Sequence, residues 1–257
     1  VFIIIKNQII KPVANYFLFN YLICMKFEKP LIEGVLLKRY KRFLADIRLN
    51  NGQYITAHCP NSGSMKTCKE PGWKVLVSES DNIKRKLKYT WEMIYNGTCW
   101  IGINTQIPNK IAIEAIQNGV IPELSGYDKI QSEIKYGQNS RIDILLTGNK
   151  GTCYVEVKNV TLVEAEGYYQ FPDAVTERGK KHLYELLKMV KKGHRAVMLF
   201  VVQRSDGTIF KPADHIDSEY ARTLREVYRQ GVEILIYQAD VSPIEIKLNR
   251  AIIFSLD

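Results

Sequence analysis

Apolar and polar residues alternate in short segments along the first part of the chain. Alternation with a period of two is typical of β-strands that have one buried face. Asn50-Asn51-Gly52 is a hairpin signal between two of these segments. We therefore predict strands over residues 31–37, 43–49, 53–58, 73–78, 88–95 and 98–103.

Six short strands without a long helix are typical of a closed OB-like β-barrel.

Farther along the chain the pattern of apolar residues changes. A helical period near residues 108–118 is followed by strand patterns at 130–136, 140–146 and 153–160. A second amphipathic helix carries Leu183 and Leu186, and a buried strand runs from Arg195 to Gln203. This αβββαβ order predicts a restriction-endonuclease-like (PD-(D/E)xK) α/β domain with a mixed central sheet.

Three residues on two adjacent predicted strands, Asp143, Glu156 and Lys158, could form a metal-binding catalytic site. Asp143 lies on the face opposite Ile142 and Ile144, while Glu156 and Lys158 share one face of the next strand. Two carboxylates can hold a hard cation such as Mg²⁺, and a lysine beside them can orient water or stabilise a developing anion. The alternative is an exposed, solvated Glu-x-Lys pair, which occurs often by chance.

Several longer stretches resemble one known family. They are LKRYKRFLAD (37–46), HCPNSGSM (58–65), SRID (140–143), YVEVK (154–158) and FPDAVTERG (171–179). On these motifs the chain is similar to the sugar fermentation stimulation protein (SfsA) family. The resemblance extends from Met25 to about Tyr237 and implies an OB-like N-terminal domain, a nuclease-like C-terminal domain and DNA binding.

Two functions follow from this resemblance together with the triplet. The first is a DNA-binding protein whose nuclease-like domain hydrolyses phosphodiester bonds with Mg or Mn, using Asp143, Glu156 and Lys158 as catalytic residues. The second is a non-catalytic DNA-binding transcriptional regulator of sugar (maltose) metabolism. Whether the DNA is single-stranded or duplex is left open, and so is a homodimer.

Two further acidic residues are candidates for a third metal ligand beside Asp143 and Glu156. Glu133 lies on the polar side of the predicted strand 130–136, within a stretch that resembles the family. Glu114 lies on the first helix, where related nucleases often carry an acid, although its neighbours are apolar. We place Glu133 ahead of Glu114.

Charge is distributed unevenly along the chain. Residues 25–109 contain 14 Lys and Arg against 7 Asp and Glu, whereas residues 110–257 contain 20 of each. A basic module joined to a neutral module with carboxylates fits a nucleic-acid-binding domain (25–109) followed by a nuclease-like domain (110–257). The candidate DNA-binding residues in the basic module are Arg39, Arg42, Lys84, Arg85, Lys86 and Lys88.

Arg178 and Lys181 are two further candidates for contact with a phosphate. Both lie in the first turns of the predicted second helix, whose N-terminus favours anions. The alternative is that Arg178 pairs with Asp173 or Glu177 and only fixes the loop.

Residues 1–24 fit neither domain and contain no apolar run long enough for a membrane span. We interpret them as an extension ahead of Met25, flexible or arising from a start codon placed too early. The five cysteines form no paired zinc-binding motif. These observations favour a cytoplasmic protein with reduced thiols and no membrane partner.

Overall fold

The computed structural model describes residues 25–136, 140–164 and 166–257. The N-terminal part of the chain forms a six-stranded sheet in which all strand pairs but one are antiparallel. The strands are β1 (Ile32–Tyr40), β2 (Leu44–Leu49), β3 (Tyr54–His58), β4 (Lys74–Glu79), β5 (Tyr89–Tyr95) and β6 (Trp100–Gly102).

This sheet closes into a barrel. The strand order is β3-β2-β1-β4-β5-β6, and β3 also pairs in parallel with β5, with Ala57 opposite Tyr89. The interior is filled by alternate residues of each strand, among them Ile47, Val77 and Trp91, none of which is exposed. Closure of the sheet removes the free edges that an open sheet would present.

The second part is an α/β domain around a mixed sheet. Its main elements are α1 (Ile107–Gln117), β7 (Lys129–Tyr136), β8 (Ser140–Gly148), β9 (Gly151–Val160), β10 (Leu162–Val163), β11 (Tyr169–Phe171), α2 (Glu177–Lys191), β12 (Arg195–Val202), β13 (Phe210–Pro212), α3 (Ser218–Arg229), β14 (Glu233–Val241) and β15 (Ile246–Ala251). The predicted αβββαβ order is confirmed, with predicted boundaries shifted by a few residues.

The order of strands in the main sheet is β15-β14-β12-β9-β8-β7. Strand β12 pairs in parallel with both β9 and β14, whereas β8 pairs in antiparallel orientation with both β7 and β9. Helix α1 packs on one face of the sheet, and α2 and α3 pack on the other. Because both faces are covered, seven of the eight residues of β12 are buried.

The two domains are joined by several polar contacts. Arg204 Nη1 donates to Thr67 Oγ1 over 3.0 Å and to Thr161 O over 2.6 Å, so it connects the barrel to the α/β domain. Gly102 N donates to Gln203 O, and Asn96 donates to Asp206 Oδ2 over 2.6 Å. Arg204 is almost fully buried at this interface. The domains are therefore held in a defined relative position, although the boundary after residue 109 stays a prediction.

Some predictions concern parts of the chain that are not described. Residues 1–24, including Cys24, lie outside the described residues. Among the rest, Cys59, Cys68, Cys99 and Cys153 are free thiols. Within the described ranges, none of the helices combines the length and apolar character needed to cross a membrane.

Candidate active site

The pairing of β8 with β9 brings the predicted triplet together. Ile144 lies opposite Val155 in the antiparallel register, and one step further along this register places Asp143 opposite Glu156. Directly opposed residues of antiparallel strands share a face. Lys158 follows two residues later on the same face, and its Nζ lies 2.5 Å from Glu156 Oε1.

Asp143 is held by two hydrogen bonds. Asn109 Nδ2 on α1 donates to one carboxylate oxygen over 2.9 Å, and the backbone N–H of Val157 donates to the other over 2.8 Å. Burial is the main cause that raises the pKa of Asp143, and the charge of Glu156 adds to it. Lys158 and the two hydrogen bonds oppose this rise without cancelling it.

Glu156 is the most buried member of the triplet, with 1% of its surface exposed. Burial raises its pKa, but Lys158 and His182 together outweigh burial, so the pKa is lowered overall. One oxygen, Oε1, contacts both Lys158 Nζ and His182 Nδ1. The other oxygen, Oε2, is buried and has no hydrogen-bond partner among the described residues.

His182 links Glu156 to α2. Arg178 Nε donates to His182 Nε2 over 3.3 Å, which leaves Nδ1 as the protonated nitrogen that donates to Glu156. This histidine is hydrogen-bonded and lies at the site, one helical turn from Arg178.

Arg178 is exposed and donates to His182, and no ion pair with Asp173 or Glu177 is present among the described contacts. Asp173 instead accepts a hydrogen bond from the backbone N–H of Met65, over 2.9 Å. Lys181 forms an ion pair with Glu185 at 3.7 Å. Whether Arg178 and Lys181 contact a phosphate stays a prediction.

A cavity of about 760 Å³ opens above the triplet, between the two domains. Asp143, Glu156 and Lys158 line it from the α/β domain. The barrel contributes the loop between β3 and β4, residues 61–64, together with Arg39, Arg42 and Lys69. The site is therefore built by both domains.

Arg39 supports this loop. Its guanidinium donates to the carbonyl oxygens of Asn61 and Gly63 over 2.8 and 2.9 Å, and to Ser64 O over 3.4 Å. Arg42 lies on the turn between β1 and β2, is exposed, and its side chain has no hydrogen bond or ion pair among the described residues. Of these two predicted DNA-binding residues, Arg42 is thus the one whose charge is available to a ligand.

The remaining basic residues lie on the loop between β4 and β5. Lys84, Arg85, Lys86 and Lys88 are all exposed. Lys88 pairs with Glu79, and Arg85 donates to Thr90 Oγ1 over 2.9 Å. Among the described contacts Lys84 and Lys86 have no partner, so this loop presents unneutralised positive charge.

The two additional acids occupy different places. Glu133 is exposed, has a left-handed φ of 56°, and lines a smaller cavity of about 370 Å³ together with Asp143. Glu114 lies away from the triplet: its Oε2 accepts a hydrogen bond from Met25 N over 2.6 Å. Across the described parts of the chain, no three His, Cys, Asp or Glu side chains are arranged to hold a metal ion. Glu133 as a third ligand stays a prediction.

Two family models match this chain. One, the SfsA N-terminal OB domain, covers residues 37–103, and the other, the sugar fermentation stimulation protein RE domain, covers residues 106–245. The chain belongs to the sugar fermentation stimulation protein family. The predicted fold class is thereby confirmed: an OB-like barrel precedes a restriction-endonuclease-like α/β domain.

Homologues in this family are similar over most of their length. The homolog from Citrifermentans bemidjiense is 55% identical and covers 89% of this chain and 98% of its own. The homolog from Geotalea uraniireducens is 57% identical, with coverage of 85% and 94%. The solved structure of Pyrococcus furiosus SfsA in complex with Ca²⁺ has a TM-score of 0.82 and 27% identity, and the match covers 90% of this chain and 98% of that one.

The sequence analysis missed two residues of the site. Asn109 binds Asp143, and its position two residues into α1 carries no motif that marks it. The sequence suggests Asp173 only as a partner of Arg178, whereas it joins the α/β domain to the barrel. Both contacts join residues far apart in the sequence, so only the tertiary fold reveals them.

Proposed function

We propose that the protein is a divalent-metal-dependent nuclease that acts on DNA, with Asp143, Glu156 and Lys158 as its catalytic residues. The observation that carries this proposal is the convergence of a buried carboxylate (Glu156), a partly buried carboxylate (Asp143) and one ammonium (Lys158) at the wall of a cavity shared with a basic domain.

A divalent cation fits the residues present. The buried Oε2 of Glu156 lacks a partner, and Asp143 has a raised pKa because it is buried beside another carboxylate. A cation bound by both groups would supply the missing partner and relieve the repulsion. Hard cations prefer such oxygen ligands, so we propose Mg or Mn. The complex of the Pyrococcus furiosus relative with Ca²⁺ supports a divalent ion in this family.

The metal ion would activate water and stabilise charge on the phosphate. Lys158 is only 16% exposed in its side chain and is positioned by Glu156, which lets it face the cavity in one orientation. There its ammonium can orient the attacking water or stabilise the developing anion. His182, anchored by Arg178, keeps Glu156 in place.

DNA as the substrate is supported by the charge of the first domain. Lys84 and Lys86 project from the barrel without partners among the described residues, and Arg42 lies at the cavity. Cations at such positions bind phosphates independently of base sequence.

A second candidate function is the non-catalytic DNA-binding regulator. It is favoured by the fact that both oxygens of Asp143 and one oxygen of Glu156 already accept hydrogen bonds from the protein. In that case the triplet would serve only to connect α1, β9 and α2.

A cleavage assay separates the two functions. Purified protein is incubated with labelled single-stranded and duplex DNA in Mg²⁺, Mn²⁺ or EDTA. If the protein is a nuclease, DNA fragments should appear only with the metal ion present. They should be absent with Lys158→Ala and should persist with Lys191→Ala, a matched change at the far end of α2. DNA binding without products from any substrate would favour the regulator.

A further inference from the structure

All three residues of the triplet line the cavity between the domains, and Asp143 also lines the smaller cavity of about 370 Å³. Glu156 is 1% exposed, and the side chain of Lys158 is 16% exposed. The cavity volume of about 760 Å³ is in the range of small-ligand pockets, about 300–1,000 Å³. It has room for roughly one or two nucleotides of a flexible strand, whereas an intact duplex could not be enclosed in it.

The walls of this cavity are fixed on both sides. Asp173 of the α/β domain accepts a hydrogen bond from Met65 N of the barrel, and a Cβ added at Gly63 would lie 2.5 Å from the Asp173 carboxylate. The two walls are thus in direct contact here, and Arg39 anchors the barrel side of that contact. Opening the cavity to the width of a duplex would require these contacts to break.

The cavity lining carries positive charge that is only partly used. The side chain of Arg42 has no partner among the described residues, and Lys69 makes one hydrogen bond, to Ser64 O over 2.9 Å. Arg178 uses its Nε for His182. Arg42 and Lys69 belong to the barrel and Arg178 to the α/β domain, so phosphates of one strand could be bound from both sides.

The turn that presents Arg42 is backbone-strained. Lys41 and Arg42 have left-handed φ values of 49° and 62°, and neither residue is glycine. Residues held in this region often serve a binding role. Phe43, the next residue, is 50% exposed, and Val175 beside the cavity is 69% exposed. Exposed apolar side chains near such a cavity give unpaired bases a surface for stacking or contact.

We propose that the site takes a single nucleic-acid strand, threaded between the barrel and the α/β domain, in preference to an intact duplex. Arg42, Lys69 and Arg178 bind its phosphates. This inference rests on the proposed function, because it assigns a substrate class to the same site.

Binding to a catalytically impaired protein tests the proposal. The full chain carrying Asp143→Asn is titrated into a fluorescein-labelled single strand and into a hairpin duplex of equal phosphate number, at one fixed salt concentration. The strand should bind at least about ten-fold more tightly. Adding Arg42→Ala should weaken strand binding about ten-fold, the value for one charge-assisted hydrogen bond. Arg48→Ala, an exposed arginine at the other end of β2, is the matched control.

Equal affinity for strand and duplex, or equal effects of Arg42→Ala and Arg48→Ala, would overturn the proposal. These outcomes do not depend on catalysis, which the wild-type cleavage assay measures separately. Rapid cleavage of a closed circular duplex would also overturn the single-strand assignment while leaving the nuclease function intact. Strand-selective binding without metal-dependent cleavage would support the cavity assignment and reject the nuclease.

Discussion

The carboxylate of Glu156 illustrates how this site balances burial against charge. A carboxylate removed from water is costly unless it is paired and hydrogen-bonded. Lys158 and His182 both contact the same oxygen, Oε1, and leave Oε2 without a partner in the described structure. An acid that only supported the fold would be expected to have both oxygens satisfied. The unpartnered oxygen, together with the position of Glu156 at the cavity wall beside Asp143, supports a bound ligand.

The first prediction concerns the stability of Asp143→Asn without metal. Folding raises the pKa of Asp143, so the ionised carboxylate reduces stability above that raised pKa. Asparagine removes this cost and retains an oxygen for Val157 N–H. At pH 7 the variant should unfold at a higher urea midpoint than the wild type. The difference should vanish as the pH falls to the ordinary carboxyl value of 3.8.

Urea unfolding at pH 7 and pH 4 with EDTA present measures both points. A lower midpoint for the variant at pH 7 would mean that Asp143 stabilises the fold as an anion, contrary to its raised pKa.

The second prediction concerns Lys158→Ala. Its ammonium pairs with a buried carboxylate, and hydrogen bonds to charged groups contribute about 1.5–3 kcal/mol. The free energy of unfolding should fall by about that amount, while Mn²⁺ binding persists and turnover is lost. Lys191 is an exposed lysine on the same helix as His182. Its replacement, Lys191→Ala, should leave the free energy of unfolding, Mn²⁺ binding and turnover unchanged. Turnover that survives in Lys158→Ala would remove this lysine from the mechanism.

At the scale of elements, the start of α2 positions His182 and Arg178 below the cavity. Thr176 caps this helix, and its side chain accepts a hydrogen bond from Gly179 N over 3.0 Å. Asp217, which caps α3, also accepts from Thr176 N. The caps of the two helices are thus connected, and both determine where the loop over residues 171–179 lies.

The third prediction tests this cap. Thr176→Ala should lower the free energy of unfolding by about 1 kcal/mol, because one N–H of the first turn loses its acceptor. It should also reduce any cleavage rate, since Arg178 and His182 lie in the first and second turns of the same helix. Thr98→Ala, at an exposed threonine without a cap role, is the matched control. Equal stability of the two variants would show that the Thr176 hydrogen bond contributes nothing.

The sequence predicted the elements well and the links between them poorly. Alternation along β8 and β9 placed Asp143 and Glu156 on adjacent strands, because strand periodicity is a local property. The same reasoning offered Asp173 as a partner of Arg178, whereas Asp173 binds Met65 N in the other domain. It also left Glu114 as a candidate, whereas this acid binds Met25 N. Contacts between distant segments depend on the packed fold, which local patterns do not encode.

At the scale of the whole molecule, the uneven distribution of charge becomes a spatial arrangement. The basic barrel and the neutral α/β domain meet at the cavity, so a strand bound to the barrel would pass the carboxylates. The contacts of Arg204 with Thr67 and of Asp206 with Asn96 hold the two domains in this arrangement. The proposed function therefore predicts that charge in the barrel sets the affinity for DNA and that the triplet sets turnover.

The fourth prediction concerns the salt dependence of DNA binding. Neutralising the loop residues Lys84, Arg85, Lys86 and Lys88 to Gln should weaken affinity. It should also flatten the plot of log K against log salt by roughly 0.9 for each lost phosphate contact on a duplex, and about 0.7 on a single strand. The matched control replaces four exposed lysines of the other domain: Lys129, Lys188, Lys191 and Lys192. The same slope change in both variants would show that binding follows net charge alone.

The most direct test of the account is calorimetric titration of Mn²⁺ into the wild type and Asp143→Asn at pH 7. The account predicts saturable binding by the wild type at or below millimolar concentrations. It predicts little or no heat from Asp143→Asn, together with unchanged binding by Lys191→Ala. Binding of equal affinity by Asp143→Asn, or no binding by the wild type at millimolar Mn²⁺, would contradict the metal site and leave the DNA-binding regulator as the remaining function.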